Sequence, residues 1–180
     1  LKDKSITAVS TDGHRLVRYI NKASITSGNT SDFIAPRKFL NFIQTQNLED
    51  NINLILGESY IAAKLKKDLI ISRLIDERFP DYDSVIPKDN NNELKVNKND
   101  FLSAIKRVSI FSNRSTHQVA IKLKEKQHCE VLTEDPEKSS KAKEDLDVEY
   151  TGEDLLIGYN AEYLKDVVSH ISGDNIIIRF

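Results

Sequence analysis

A repeat of 62 residues is the feature of the sequence that most constrains the fold. An aromatic residue followed by leucine occurs at Phe39, Phe101 and Tyr163, so successive copies are 62 residues apart. Ile52 and Ile176 each lie 13 residues after the first and third of these aromatic residues, and each begins an apolar segment typical of a strand. A chain with a recurring unit of this length is expected to build the same supersecondary structure several times.

Each copy begins with a pattern that predicts a helix. Pro36 suits a first helical position, Asn97 with Asp100 resembles a capping box, and Asn160 can cap the third helix. Short β-branched segments separated by turns then predict strands at residues 52–56, 61–65, 69–74, 119–123, 130–132 and 176–178. The predicted fold class is α+β, with repeated strand-helix-strand units and the helices on one face of antiparallel sheets.

The sequence predicts two domains, residues 1–88 and 89–180. Pro80 and Pro87, followed by a run of asparagines, are typical of a linker and place the boundary near residue 88. A second polar stretch, residues 134–141, is highly charged and poor in apolar side chains, which favours a solvated loop.

Composition restricts the possible classes of function. Charged residues make up 30% of the chain but the net charge is only −2, whereas a protein that grips DNA by bulk electrostatics is usually clearly basic. Cys129 is the single cysteine, which excludes an internal disulfide and favours a reducing, cytoplasmic compartment; we expect it half-buried in a strand. No apolar run approaches the roughly 18 residues of a membrane-spanning helix, so no membrane partner is expected.

Residues 11–16, with the sequence Thr-Asp-Gly-His-Arg-Leu, form the most distinctive short motif. The segments on either side alternate β-branched and aromatic residues, which predicts two strands joined by a bend at Asp12 and Gly13, because glycine reaches positive φ at little cost. Taken alone, these residues favour a hairpin with a polar rim and no further role. Asp12 and His14 could in principle act as a base and its orienting partner, although no nucleophile accompanies them.

Three further stretches carry a resemblance when they are read together with this bend. They are residues 73–82 (RLIDERFPDY), 107–113 (RVSIFSN) and 157–164 (IGYNAEYL). In their order and spacing the four motifs resemble the bacterial sliding clamp family, the β subunit of DNA polymerase III, over almost the whole chain.

The resemblance implies the DNA-clamp fold, in which each protomer has three similar domains of two strand-helix-strand units. Two such protomers close into a ring around duplex DNA, with helices lining the hole and sheets outside. Residues 1–88 then correspond to the second domain without its first part, and residues 89–180 to the third domain without its last strands. The chain has no Met, which agrees with a fragment, and we expect the fragment alone not to close a ring.

The resemblance also implies a groove that docks short peptides of partner proteins. These partners are the DNA polymerase III alpha subunit, the clamp loader and other proteins with a clamp-binding motif. The residues that correspond to the groove are Thr11, Gly13, His14, Arg15, Leu16, Pro80, Val85, Asn160 and Tyr163. Ser84 departs from the family, which often has a basic residue there, and the C-terminal tail that normally adds to the pocket is missing.

Two smaller sets of residues correspond to other surfaces of a clamp. Arg37 and Lys38, at the start of a helix that the family turns toward the hole, are expected to face DNA; ordinary solvated charges at a helix start are the alternative. Ile110 and Phe111 correspond to the dimer interface, where one protomer's third domain meets its neighbour's first, and ordinary core residues at a helix end are the alternative.

The predicted function is that of a non-enzymatic processivity factor with no catalytic residue, no metal and no cofactor. The histidines, at positions 14, 117, 128 and 170, lie far apart, and none pairs with a cysteine or carboxylate at metal-ligand spacing. The alternatives are a plain DNA-binding module that grips by charge and an enzyme that uses Asp12 and His14.

Overall fold

The computed structural model describes residues 5–22, 32–46, 52–124 and 128–180. The chain divides into two compact units, Leu1–Ile86 and Pro87–Phe180. The division lies within the proline-containing segment that the sequence marks as a linker. Each unit combines antiparallel sheets with helices, as an α+β fold requires.

In the part that the structure describes, the first unit contains a hairpin, one α-helix and a three-stranded sheet. Strands β1 (Ile6–Thr11) and β2 (Leu16–Asn21) pair with each other in a two-stranded antiparallel sheet. Helix α1 (Arg37–Gln44) precedes the antiparallel sheet of β3 (Asn53–Leu56), β4 (Tyr60–Lys64) and β5 (Leu69–Arg73), and a short 3-10 helix (Tyr82–Ser84) follows. The buried core of this unit consists of Phe39, Ile43, Ile61 and Ala63.

Among its described residues, the second unit contains two α-helices and two sheets. Its elements in chain order are β6 (Glu93–Asn97), α2 (Lys98–Ser109), β7 (Gln118–Lys124), β8 (His128–Asp135), β9 (Ser140–Asp147), β10 (Glu149–Thr151), β11 (Leu155–Asn160), α3 (Ala161–His170) and β12 (Asn175–Arg179). One antiparallel sheet has the order β11-β7-β8-β9 and the other the order β10-β6-β12. Both helices contact each other and contribute to one large core, in which Phe101, Ile105 and Ile121 are completely buried.

Two asparagine side chains explain where the helices of the second unit begin, since Asn97 caps α2 and Asn160 caps α3. The Asn97 side chain accepts hydrogen bonds from the backbone N–H groups of Asn99 and Asp100, so it caps α2.

Helix α1 of the first unit begins one residue later than the sequence predicts. Pro36 is its cap residue, with φ −63°, and the Pro36 carbonyl accepts the first helical hydrogen bond from the Phe39 N–H.

The prediction of a solvated loop at residues 134–141 is wrong. Strand β8 continues to Asp135, a single 3-10 turn (Pro136–Lys138) follows, and β9 begins at Ser140. Along β9 the charged side chains of Lys141, Lys143, Asp145 and Asp147 alternate with partly buried residues, so the strand has a wholly charged outer face. That outer face made the segment look like a loop.

Two buried side chains of β8 also differ from simple expectation. Asp135 is fully buried; its Oδ1 accepts from the Glu137 N–H at 3.2 Å and from Asn113 Nδ2 at 3.4 Å, so it joins the turn to the segment after α2. Cys129 is fully buried rather than half-buried, and this burial raises the pKa of its thiol to about 12.

Candidate functional site

The bend at residues 11–16 joins β1 to β2, with Thr11 and Leu16 as the last paired residues. Gly13 has φ +86°, a region that favours glycine, and a Cβ there would meet nothing within 4 Å. The requirement for glycine is therefore one of backbone conformation and not of space. The bend is consequently a defined turn that leaves room around its tip.

Asp12 holds this bend in shape. Its Oδ1 accepts hydrogen bonds from the backbone N–H groups of His14 (3.1 Å) and Arg15 (3.0 Å), and its Oδ2 lies 3.0 Å from Arg15 Nε. Thr11 adds a second brace, since its hydroxyl donates to the Arg15 carbonyl at 2.8 Å and accepts from the Gly13 N–H at 3.2 Å. Sequence analysis left Asp12 out of the binding residues, although an aspartate before glycine is a recognised turn signal.

These contacts also bear on the enzymatic alternative for Asp12 and His14. The hydrogen bonds from the backbone of His14 and Arg15 hold the pKa of Asp12 at about 2, well below its ordinary value of 3.8. A carboxylate with so low a pKa is a weak base at neutral pH. The geometry therefore gives Asp12 a structural task within the turn.

The segment that contains Pro80 and Val85 is connected to the hairpin within the first unit. Arg18 of β2 places Nη1 3.0 Å from Asp83 Oδ1, and Asp83 belongs to the short 3-10 helix. Pro80 and Val85 are both exposed, and Val85 keeps 67% of its surface accessible. Exposed apolar side chains on a segment tied to the hairpin offer a surface on which another apolar group can pack.

Ser84, at a position where the resemblance leads us to expect a basic residue, has a local partner. Its hydroxyl donates to the Asp81 carbonyl at 2.7 Å and so closes the 3-10 turn. Phe79 and Tyr82 pack edge to face with ring centroids 6.4 Å apart, which further fixes this segment.

Asn160 and Tyr163 lie in the second unit, at the start of α3. The Asn160 Oδ1 accepts from the N–H groups of Glu162 (2.9 Å) and Tyr163 (3.3 Å), and its Nδ2 donates to the Thr116 carbonyl at 3.2 Å. Asn160 is therefore first of all a helix cap that also fastens the segment before β7, and only one of its amide hydrogens lies outside these bonds. Tyr163 is half-buried.

Arg37 and Lys38 are the first two residues of α1, and both are exposed. The first turn of this helix contains no acidic residue, so no carboxylate there offsets their charge. The N-terminus of a helix is itself electropositive, and this adds to a local positive potential in a chain whose net charge is −2.

Ile110 and Phe111 follow the end of α2 and point to solvent. Ile110 keeps 76% and Phe111 keeps 46% of its surface accessible. The alternative that both are ordinary core residues is therefore wrong. Two adjacent large apolar side chains at this exposure mark a place where another surface can pack.

A neighbouring feature that sequence analysis missed is the outer edge formed by β9. This strand lies at the edge of the four-stranded sheet. The hydroxyl of Ser140, its first residue, donates to the Phe111 carbonyl at 3.0 Å. Arg107 of α2 pairs with Glu144 of β9, with Nε 2.9 Å from Oε2, and the pair lowers the pKa of Glu144 and raises that of Arg107. Strand edges present backbone groups that can pair with another strand. The alternation of Ala142 and Leu146 with charged residues was the available signal.

Comparison with known proteins identifies the family. Residues 1–81 match the model of the DNA polymerase III beta subunit central domain, and residues 83–180 match that of its C-terminal domain. The chain belongs to the DNA polymerase III beta subunit family. The beta sliding clamp of Pseudomonas putida is 30% identical over 176 residues, which cover 96% of this chain and 47% of the relative. The beta sliding clamp of Bacillus subtilis is 27% identical over 184 residues, which cover 100% of this chain and 48% of the relative.

Solved structures of beta subunits share the fold. The sliding clamp of Bacillus subtilis has a TM-score of 0.92 at 27% identity, over 100% of this chain and 48% of that one. A Pseudomonas aeruginosa sliding clamp bound to griselimycin has a TM-score of 0.90 at 28% identity, over 100% of this chain and 49% of that one. The predicted DNA-clamp fold is therefore confirmed, and the chain spans about half the length of these beta subunits. None of the described helices is long and apolar enough to cross a membrane.

Proposed function

We propose that this chain is part of a sliding clamp, a non-catalytic cytoplasmic processivity factor. The observation that carries the proposal is the match of two consecutive beta subunit domains, in family order, to nearly the whole chain. In this role the protein forms a ring with a second copy, encircles duplex DNA and tethers the polymerase. Its partners are duplex DNA of any sequence, the DNA polymerase III alpha subunit, the clamp loader and other proteins with a clamp-binding motif.

The bend and the segment after β5 supply a surface for partner peptides in this proposal. Leu16, Pro80 and Val85 offer apolar contacts, and the braced turn fixes the direction in which His14 and Arg15 project. A turn held by its own hydrogen bonds loses little freedom when a ligand binds, which favours affinity. Thr11 and Gly13 shape the turn, and Asn160 and Tyr163 are the proposed contribution of the second unit.

Weak contacts to phosphates suit a ring that must slide. Arg37 and Lys38 are exposed at a helix start and provide charge without the direct readout of bases. Because the whole chain is slightly acidic, retention on DNA depends on enclosure. Ring closure is assigned to Ile110 and Phe111, and the adjacent edge of β9 adds backbone groups able to pair with a strand of the neighbouring protomer.

A peptide titration tests the docking surface. A fluorescently labelled clamp-binding peptide is titrated with the protein carrying its natural ends, and polarisation is measured. We expect saturable binding that Leu16→Arg abolishes, while Val17→Arg, on the neighbouring and more exposed position of β2, retains it. Binding that Leu16→Arg leaves intact would contradict this assignment of the docking surface.

The salt dependence of DNA binding separates the ring from a plain DNA-binding module. Protein loaded onto nicked circular DNA is expected to stay bound at high salt and to be released when the DNA is linearised. Binding by charge alone falls steeply with salt on both forms of DNA. Equal release from circular and linear DNA would therefore favour the charge-driven module.

A further inference from the structure

Three potential metal ligands converge on the outer face of the β8–β9 pair. His128 and Glu130 are alternate residues of β8, so their side chains lie on the same face of the sheet. Asp145 of β9 is the register partner of Glu130. One ligand atom from each of these three residues lies within 4.8 Å of the others, and His128 Nε2 lies 3.2 Å from Asp145 Oδ1.

We propose that His128, Glu130 and Asp145 form a binding site for a divalent first-row transition metal, with Zn²⁺ as the representative ion. Ligands that surround Zn²⁺ tetrahedrally at about 2.0–2.1 Å are roughly 3.3 Å apart, close to the separation of the His128 and Asp145 atoms. One imidazole nitrogen and two carboxylate oxygens suit zinc, cobalt or nickel, whereas magnesium and calcium prefer sites made of oxygen ligands alone.

The position of the ligands on a paired sheet makes the site rigid yet accessible. β8 and β9 pair antiparallel along their whole length, from His128 with Asp147 to Asp135 with Ser140, which fixes the backbone of all three ligands. The side chain of Glu130 is only 14% exposed, whereas those of His128 and Asp145 are 43% and 60% exposed. An ion can therefore reach the site from solvent and keep water molecules at its remaining positions.

Neighbouring charges set the expected strength of binding. Lys143 Nζ lies 3.2 Å from Glu130 Oε2, so this ammonium group competes with a metal for the same carboxylate. Lys122 and Lys124 of β7 are the register partners of Glu130 and His128, while Asp147 is the partner of His128 on the other side. Lys143 is 62% exposed and can turn into solvent when an ion binds.

The cysteine between two of the ligands takes no part in this site. Cys129 lies on the opposite face of β8, fully buried in the core, and burial keeps its thiol protonated by raising its pKa to about 12. The donor set is therefore nitrogen and oxygen only. Sequence analysis missed the cluster because Asp145 comes beside His128 only through the register of two strands.

Calorimetric titration with Zn²⁺ tests the proposal. The protein with its natural ends is freed of metal, and binding is compared in the parent, His128→Ala and His170→Ala. His170 is the matched control, since it also lies near a carboxylate, with Nδ1 3.5 Å from Asp166 Oδ1, but in the described chain it belongs to no group of three ligands. We expect His128→Ala to lose one zinc equivalent or to weaken its binding at least tenfold, and His170→Ala to match the parent.

A second variant separates a metal site from a simple ion pair. Lys143→Ala is expected to bind Zn²⁺ more tightly, because it removes the competing ammonium group from Glu130, and Co²⁺ should give the visible absorption of a low-symmetry N/O site. Circular dichroism confirms that each variant is folded. The proposal is overturned if the parent binds no zinc at millimolar concentration, or if His128→Ala binds as the parent does.

Discussion

The two units of this chain hold their candidate binding residues in place by different means. In the first unit the described buried core is small, and the bend is fixed by the hydrogen bonds of its own Asp12 and Thr11. In the second unit Asn160 caps a helix that packs on a large core. One unit thus positions its candidate binding residues by local polar contacts, and the other positions them by packing.

The exposure of large apolar side chains in the first unit is part of the same difference in packing. Many of its large apolar side chains remain accessible, among them Leu40, Phe42, Leu54, Leu69 and Ile71. A unit that buries little apolar area gains little stability from it, because the contribution is only about 25 cal/mol per Å². The conformation of its bend therefore depends more on local hydrogen bonds than on packing.

Core substitutions give the largest expected contrast. Phe101→Ala should destabilise the second unit by about 3–5 kcal/mol, since Phe101 is fully buried and would leave a cavity. Phe39→Ala should cost less, because the few buried neighbours around it let solvent or nearby side chains fill the space. Urea titration followed by hydrogen exchange in each unit measures both, and an equal loss in the two variants would contradict the comparison.

Cap substitutions should separate stability from binding. Asn160→Ala and Asn97→Ala each remove a helix cap and are expected to cost about 1 kcal/mol. Asn160→Ala should cost somewhat more, because it also loses the bond to the Thr116 carbonyl. Only Asn160→Ala is expected to weaken peptide binding, as measured by polarisation; a matching loss in Asn97→Ala would assign the effect to stability alone.

The bend should loosen in acid. The pKa of Asp12 is lowered from 3.8 to about 2 in the folded bend, so its stabilising effect is present above pH 3.8 and disappears as the pH falls toward 2. Amide exchange of His14 and Arg15, corrected for intrinsic rates, should accelerate over this interval. In Asp12→Ala the same two amides should be poorly protected at every pH; protection equal to the parent would refute the role of Asp12.

The smallest effect is expected at the ion pair between Arg18 and Asp83. Both side chains are substantially exposed, at 40% and 58%, so Arg18→Ala should cost no more than about 0.2–1 kcal/mol. A coupling energy from a double-mutant cycle with Asp83→Ala measures the pair itself. A coupling well above 1 kcal/mol would mean that the hairpin is anchored more firmly than local contacts suggest.

Local signals in the sequence predict much of the fold but little of its cross-strand chemistry. The caps at Asn97 and Asn160 could be predicted because a cap depends on residues two or three positions away. Strand β9 could not be recognised, because its charged outer face resembles a loop. The approach of Asp145 to His128 depends on strand register, which the residues of either strand alone do not determine.

The burial of Cys129 has a practical consequence for experiments on this molecule. It is the only cysteine of the chain, it is fully buried, and its thiol stays protonated at neutral pH. Maleimide reagents need an accessible thiolate, so the native chain should react very slowly. A cysteine introduced at an exposed position such as Val85 or Ile110 would then be labelled alone, and a dye or spin label there would test the proposed docking surface or the proposed ring interface against a silent background.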